Sequence, residues 1–241
     1  MPSFTYAILA SHNYHTYCSN IEKFLCAQSI NFIEIAFCME KSFEKFKLYI
    51  APFGLSDANF DLLIGFCEQV QFKKGDVVMK AGEKQNSIYF IAKGIVRNYV
   101  LSQEGEIKTY GFRVENMLIT GYGLHNYKNE HRAKVNIECL EECALIKIPL
   151  QALKFLEEHS KEAHKVGRYL AEAHTLELVE FIIDIDTLPI LERYNNLEKT
   201  FPNIHQRVPQ HIIASYLRIT PVHLSNVKKR NFLLSKTTAS S

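Results

Sequence analysis

The feature that most restricts the fold is a change of hydrophobic period that begins near Val70 and reverses after Pro149. Eight short runs lie between these points: Val70–Phe72, Val77–Met79, Ile88–Ile91, Ile95–Leu101, Thr109–Phe112, Met117–Thr120, Val135–Cys139 and Ala144–Ile148. They are rich in β-branched and aromatic residues, and turn signals punctuate them at Gly75-Asp76, Gly82-Glu83, Lys93-Gly94 and Glu104-Gly105. Runs this short argue against a parallel α/β sheet and for a barrel or roll. A β-roll is predicted over Val70–Ile148.

Helical spacing flanks the roll on both sides. Ahead of it, Phe43, Phe46 and Leu48 and then Phe60, Leu62, Leu63 and Phe66 predict two helices between Glu40 and Cys67. Gly54 closes the first, and Ser56 followed by Asp57 caps the second. Behind the roll, Leu150, Leu153, Phe155 and Leu156 fit a short helix. Val166, Leu170, Ala173, Leu176, Val179 and Ile183 then step by threes and fours through a long one. Leu178, Phe181 and Ile182 widen its stripe beyond what one packing surface needs. Such a helix either uses one side for the roll and another for a second copy, or is buried wholly in its own domain; the segment after it favours pairing. Asp184–Pro189 breaks the helix and is the candidate hinge.

Charge separates the ends of the chain. The sequence carries a net +2, yet Pro189–Ser241 holds eight Lys or Arg against two Glu, so that tail is +6 and the remainder −4. A basic end on an acidic body points to an anionic partner for that end alone. Its pattern is specific. Pro209 suits a first helical position, and Ile213, Tyr216 and Leu217 make an inward face. Ala214 is small where two helices would cross, and Ile219 plugs the turn. Thr220 is an N-cap with Pro221 next, Leu224 and Val227 face in, and Lys228, Lys229 and Arg230 close the second helix. Two short helices joined by about three residues predict a helix-turn-helix. The fold class is therefore α+β: a double-stranded β-roll, a long central helix and a C-terminal helix-turn-helix domain.

The first 38 residues differ from the rest, with three formal charges and seven Phe or Tyr. Met39 then opens a charged amphipathic stretch. Either translation starts at Met39, which composition favours, or the extension is an aromatic strap packed on the core or a partner. The predicted segments are 1–38 as an atypical extension, 39–150 as the roll, 151–186 as the helical segment and hinge, and 187–241 as the DNA-binding domain. With 47% hydrophobic and 22% charged residues, the chain is of ordinary globular composition. No run approaches the ~20 apolar residues of a membrane span, and no basic segment precedes an apolar one as in a secretory signal. The six Cys include no Cys-x-x-Cys pair, which fits reduced thiols and a cytoplasmic location.

Taken together these motifs resemble Crp/Fnr-type transcription regulators over roughly Met39–Arg230. Phe72–Asp76, Gly82-Glu83, Ile88–Gly94 and Glu104–Glu106 match the repeating turns of that family's cyclic-nucleotide-binding-like roll. Arg207–Gln210, Ile213–Leu217 and Ile219–Pro221 match its DNA-binding motif. The resemblance implies a homodimer bound to double-stranded DNA, with recognition helices in successive major grooves. RNA polymerase is a further partner that it implies. On this mapping Val222, Ser225 and Asn226 face base edges, and Gln210, Thr220, His223, Lys228, Lys229 and Arg230 face phosphates. Two departures stand out: Arg218 occupies a turn position often held by Gly, and only Asn231–Ser241 remain where the family has a β-wing.

Nucleotide-binding members hold ribose and phosphate with a Gly-Glu-Leu turn and a later Arg-Ser/Thr-Ala. Here Thr120–Leu124 places Tyr122 where the Glu would be, and His131–Lys134 keeps one Arg out of pattern. Cyclic AMP is therefore not expected, and no cofactor is called; Tyr122, Arg132 and Lys134 are the candidates to line a pocket for another small anionic effector. Cys18, Cys26 and Cys38 are too widely spaced for an iron–sulfur set, whereas Cys139 and Cys143 flank a hairpin turn and can approach one another. His125 and His131 lack a matching ligand set, so no metal is expected. No nucleophile motif, phosphate loop or His-x-His pair supports an enzyme. The alternative to a regulator is a sensor or interaction module whose roll is degenerate and which has lost specific DNA binding.

Overall fold

The computed structural model describes residues 32–122 and 132–238. Helix α1 (Phe32–Ile50) passes into a 3-10 turn (Ala51–Phe53) that Gly54 closes at φ 84°, and α2 spans Asp57–Ile64. The helix predicted from about Glu40 thus starts earlier, at Phe32. Leu48, read as an inward position, is exposed, because α1 turns Phe46 and Ile50 to the core instead.

Eight strands follow in the order predicted: β1 (Glu68–Phe72), β2 (Val77–Met79), β3 (Ser87–Lys93), β4 (Val96–Leu101), β5 (Ile107–Arg113), β6 (Leu118–Ile119), β7 (Asn136–Cys139) and β8 (Cys143–Pro149). They form two antiparallel four-stranded sheets, β1-β8-β3-β6 and β2-β7-β4-β5. Met79, Ile91, Ile119, Ile137 and Leu145 fill the space between the sheets. The outer face of the first sheet is also covered, by Phe46 and Phe60 of the N-terminal helices against Phe90, Ile146 and Ile148. Strands buried on both faces lose polar alternation, which is why Ile88–Ile91 reads as a continuous apolar run. Strand β5, whose pairing with β4 shifts register between Asn98 and Tyr99, buries Thr109 and Phe112.

Helix α3 (Leu150–His159) leads into α4 (Lys161–Thr187), whose Ser160 cap accepts from Ala163 N at 3.2 Å. At 27 residues, α4 is roughly 40 Å long. Its first turns pack on the roll through Ala163 and Val166, while Leu176, Val179, Ile182 and Ile183 are exposed farther along. Leu188 and Pro189 then turn the chain into α5 (Ile190–Thr200), α6 (Ile204–Arg207), α7 (Gln210–Tyr216) and α8 (Pro221–Thr238). No helix of the described residues is long and apolar enough to cross a membrane.

Gly94 sits at the tightest approach in the roll. At φ 104° an added Cβ would lie 2.5 Å from Cys143 Sγ and 2.8 Å from the Glu142 carbonyl oxygen. Gly105 has a similar φ of 81° with nothing within 4 Å. Gly105→Ala is expected to cost about 1 kcal/mol from backbone conformation alone. Gly94→Ala adds overpacking of about 1–3 kcal/mol more. Urea unfolding of the two variants beside wild type measures the difference.

Candidate nucleic-acid interface

The C-terminal helices are built around a small core of their own. Ile212, Ile213, Ala214 and Leu217 on and just after α7 are buried, and Leu224 and Val227 on α8 meet them. Ala214 is small enough for the chain to double back, and its carbonyl accepts from Ile219 N at 3.0 Å. Thr220 caps α8 as expected, its Oγ1 accepting from His223 N at 3.2 Å. Pro221 opens the helix where a missing N–H costs no hydrogen bond.

Arg218 takes the left-handed conformation of the turn at φ 59°. A side chain there costs of order 1 kcal/mol relative to Gly. Two contacts offset it: the guanidinium lies 4.5 Å over the Tyr110 ring, and Arg193 Nη1 donates to the preceding carbonyl, Leu217 O, at 3.1 Å.

With Leu224 and Val227 turned in, the rest of α8 faces out. Val222 is 73% exposed, and His223, Asn226, Lys229 and Arg230 are exposed beside it; Ser225 and Lys228 are half-buried. Gln210 Nε2 donates to Ser225 Oγ at 2.6 Å and to Pro221 O at 3.3 Å. Gln210, expected at a phosphate, also ties the two helices together, and Ser225 keeps its hydroxyl proton and one lone pair to offer outward. Helix α8 runs on to Thr238, so no β-wing is present among the described residues.

The motif is docked on the roll by groups far apart in sequence. β5 is an edge strand, and Ser215 covers its open groups: Oγ accepts from Thr109 N at 3.0 Å and donates to Ile107 O at 3.1 Å. Phe112 meets Phe201 edge-on at 6.0 Å and Tyr216 at 5.1 Å. Arg207 reaches both oxygens of Glu115 at 2.8 and 3.0 Å and also pairs with Glu141. Burial pushes the Glu115 carboxyl up, but the Arg207 guanidinium together with the backbone N–H groups of Glu115 and Gly94 outweighs this and holds it below its ordinary 4.5. Sequence reading placed Arg207 within a motif but missed its carboxylate partners, because separations of 92 and 66 residues leave no periodic trace.

The three residues suggested for an effector pocket are not brought together. Tyr122, in a left-handed conformation at φ 60°, stacks on His174 of α4 at 5.1 Å, and its hydroxyl accepts from Asn98 Nδ2 at 3.1 Å. Arg132 and Lys134 are exposed on either side of buried Ala133, and Arg132 donates to Gly82 O at 2.8 Å. Alternation along that segment turns both cations away from the roll interior. Cys139 and Cys143 are free thiols, both buried, and Cys143 Sγ donates to Glu141 O at 3.3 Å. Cys38 lies in α1; Cys18, Cys26, His125 and His131 fall outside the described residues, among which no group of metal-ligating side chains occurs.

Residues 69–159 match the cyclic nucleotide-binding domain family. Among curated proteins, the fumarate and nitrate reduction regulatory protein of Yersinia pestis is 27% identical over 103 residues, 42% of this chain and 40% of that one. The anaerobic regulatory protein of Haemophilus influenzae is 26% identical over 155 residues, 64% of this chain and 56% of that one. The matched stretches thus span about half the length of these relatives. Among solved structures, FixK2 from Bradyrhizobium japonicum superposes with TM-score 0.62 at 12% identity, covering 70% of this chain and 86% of that one. A regulator of the Crp/Fnr family from Eubacterium rectale gives TM-score 0.59 at 17% identity, with coverages of 75% and 85%. The stretch 69–159, less than half of the chain, is similar to a cyclic nucleotide-binding domain. The chain's fold is similar to that of these two solved structures, in agreement with the architecture that the sequence motifs implied.

The Arg207 clamp has a pH signature. A carboxyl depressed in the folded state stabilises the fold above its ordinary value and stops doing so as pH falls through the depressed one. Arg207→Met is expected to cost about 1–3 kcal/mol at neutral pH. The gap to wild type should close as pH falls below 4.5, the ordinary value for Glu115. Denaturant unfolding across that range checks both.

Proposed function

We propose that this protein is a DNA-binding transcription regulator that acts as a homodimer in the cytoplasm. The observation that carries the reading is the outward face of α8. Val222 and Asn226 project from it beside the cations of Lys228–Arg230, while Leu224 and Val227 fix the opposite side to α7. Val222, Ser225 and Asn226 meet base edges: Asn bonds adenine bidentately and Val touches a thymine methyl. Thr220, His223, Lys228, Lys229 and Arg230 meet phosphates and set affinity and register. RNA polymerase is the further partner of such a regulator, and the protein works without enzymatic activity.

The exposed Leu176, Val179, Ile182 and Ile183 of α4 support pairing with a second copy. Four large apolar side chains left in water on one helix are a surface that association removes. Two-fold pairing sets the recognition helices about one DNA turn, or ~10 base pairs, apart and calls for a palindromic site.

Replacing Lys228, Lys229 and Arg230 by Ala removes six cations per dimer. The slope of log affinity against log salt is expected to fall by up to about 5. A protein that binds other partners through this end would show no such change in titrations of duplex DNA at several salt concentrations. Asn226→Ala should relax preference at one position per half-site by about 1–3 kcal/mol. Leu176→Glu with Ile183→Glu is expected to give a folded monomer by light scattering.

A further inference from the structure

Arg132 and Lys134 turn away from the roll interior, and on the outside they meet two further cations. The β2–β3 turn lies against the segment that leads into β7. Gly82 N donates to Ala133 O at 2.8 Å, Ala133 N donates to Glu83 O at 2.9 Å, and Ala81 N donates to Asn136 Oδ1 at 3.0 Å. An antiparallel bridge pairs Lys84 with Arg132. Residues directly opposite one another in such a pair share a face, with Cβ atoms about 4.5–5.5 Å apart. Lys134 lies two residues on from Arg132, past buried Ala133, and so shares that face. Lys80 opens the same turn, and all four cations are exposed.

Like charges directly opposite one another destabilise a strand pair. Yet none of the four forms an ion pair among the described residues. The neighbouring carboxylates are engaged elsewhere. Glu83 Oε2 accepts from Lys80 N at 3.2 Å and closes the turn, and Glu138 pairs with the Arg97 guanidinium. Arg132 Nη1 donates to Gly82 O at 2.8 Å, which holds its guanidinium against the turn. What this patch lacks is an anion.

Position and shape narrow the choice. On an open surface a single small anion is screened by water and salt, whereas several anionic groups on one molecule reinforce one another. The sheet order β2-β7-β4-β5 sets this edge three strands, or roughly 14 Å, from β5, which carries the C-terminal helices. The patch is therefore not a continuation of the α8 face. Val77, 37% exposed, opens the same edge strand. It offers an apolar contact of the kind that protein interfaces combine with charge and that a phosphate backbone leaves unused.

We propose that this patch docks an acidic segment of a partner protein, whose carboxylates meet Lys80, Lys84, Arg132 and Lys134 beside Val77. The proposal does not depend on DNA binding.

Titration of a fluorescent deca-glutamate peptide with the full chain at fixed low salt tests it. Replacing Lys80, Lys84, Arg132 and Lys134 by Gln is expected to weaken binding about tenfold or more. Replacing Lys154, Lys161, Lys165 and Arg168 by Gln removes the same charge from α3 and α4, where all four are exposed. That control should change binding less than about twofold, as should the Ala triple at Lys228, Lys229 and Arg230. Lys84→Glu turns the opposed cations into a cross-strand ion pair. It should raise the urea midpoint while weakening the peptide about fivefold, a combination that loss of folding does not give. The proposal is overturned if wild type does not bind the peptide, if the Gln variant at the patch binds it as wild type does, or if either control loses as much. It is also overturned if the patch variant loses duplex DNA by a similar factor, which would make the patch a nucleic-acid surface. A chain that binds the peptide at this patch and binds no DNA would overturn the regulator reading alone.

Discussion

The edge of β5 is the constraint on which the arrangement rests. A sheet edge left open in water presents unpaired amides and carbonyls to any passing strand. Here Ser215 takes one of each, and the face of the same strand supplies Phe112 to the core of the C-terminal helices. The consequence is a single apolar cluster that runs from Ile95, Phe112 and Leu140 of the roll to Leu224 and Val227 on the inner side of α8. The motif is therefore not a bead on a tether. Its position is set by β5, and a change felt by β5 is felt by α8.

Two polar clusters flank that contact. Arg207 bridges Glu115 and Glu141 on the roll, so one guanidinium joins the turn after β5 and the β7–β8 hairpin to the segment leading into α7. Arg113, at the end of β5, joins the roll to α4 through Glu177 and His174. Bidentate guanidinium pairs hold orientation as well as distance. The strand that receives the C-terminal helices is thus fixed at one end to the long helix, whose exposed stripe is the proposed pairing surface.

Much of this was readable from local pattern. The eight strands, the long helix and its break before Pro189, and the Thr220 cap all follow from spacing and turn chemistry within a few residues. What escaped was settled over long range or by alternation. Tyr122, Arg132 and Lys134 lie close in sequence, yet a left-handed Tyr122 turns to α4 while Arg132 and Lys134 flank buried Ala133 and face solvent. Gln210 was placed at phosphates by the family resemblance; that it also reaches Ser225 depends on how two helices cross. Arg218 was flagged as out of place for a left-handed turn; what compensates it is Tyr110, a residue of the other domain.

The central claim is that the outward face of α8 reads duplex DNA in a two-fold symmetric pair. Selection from fragmented genomic DNA by the purified protein, at fixed moderate salt, tests it most directly. The account predicts enrichment of fragments sharing an inverted repeat whose half-sites lie about one helical turn apart. Recovered fragments that share no sequence and match the input distribution would contradict it.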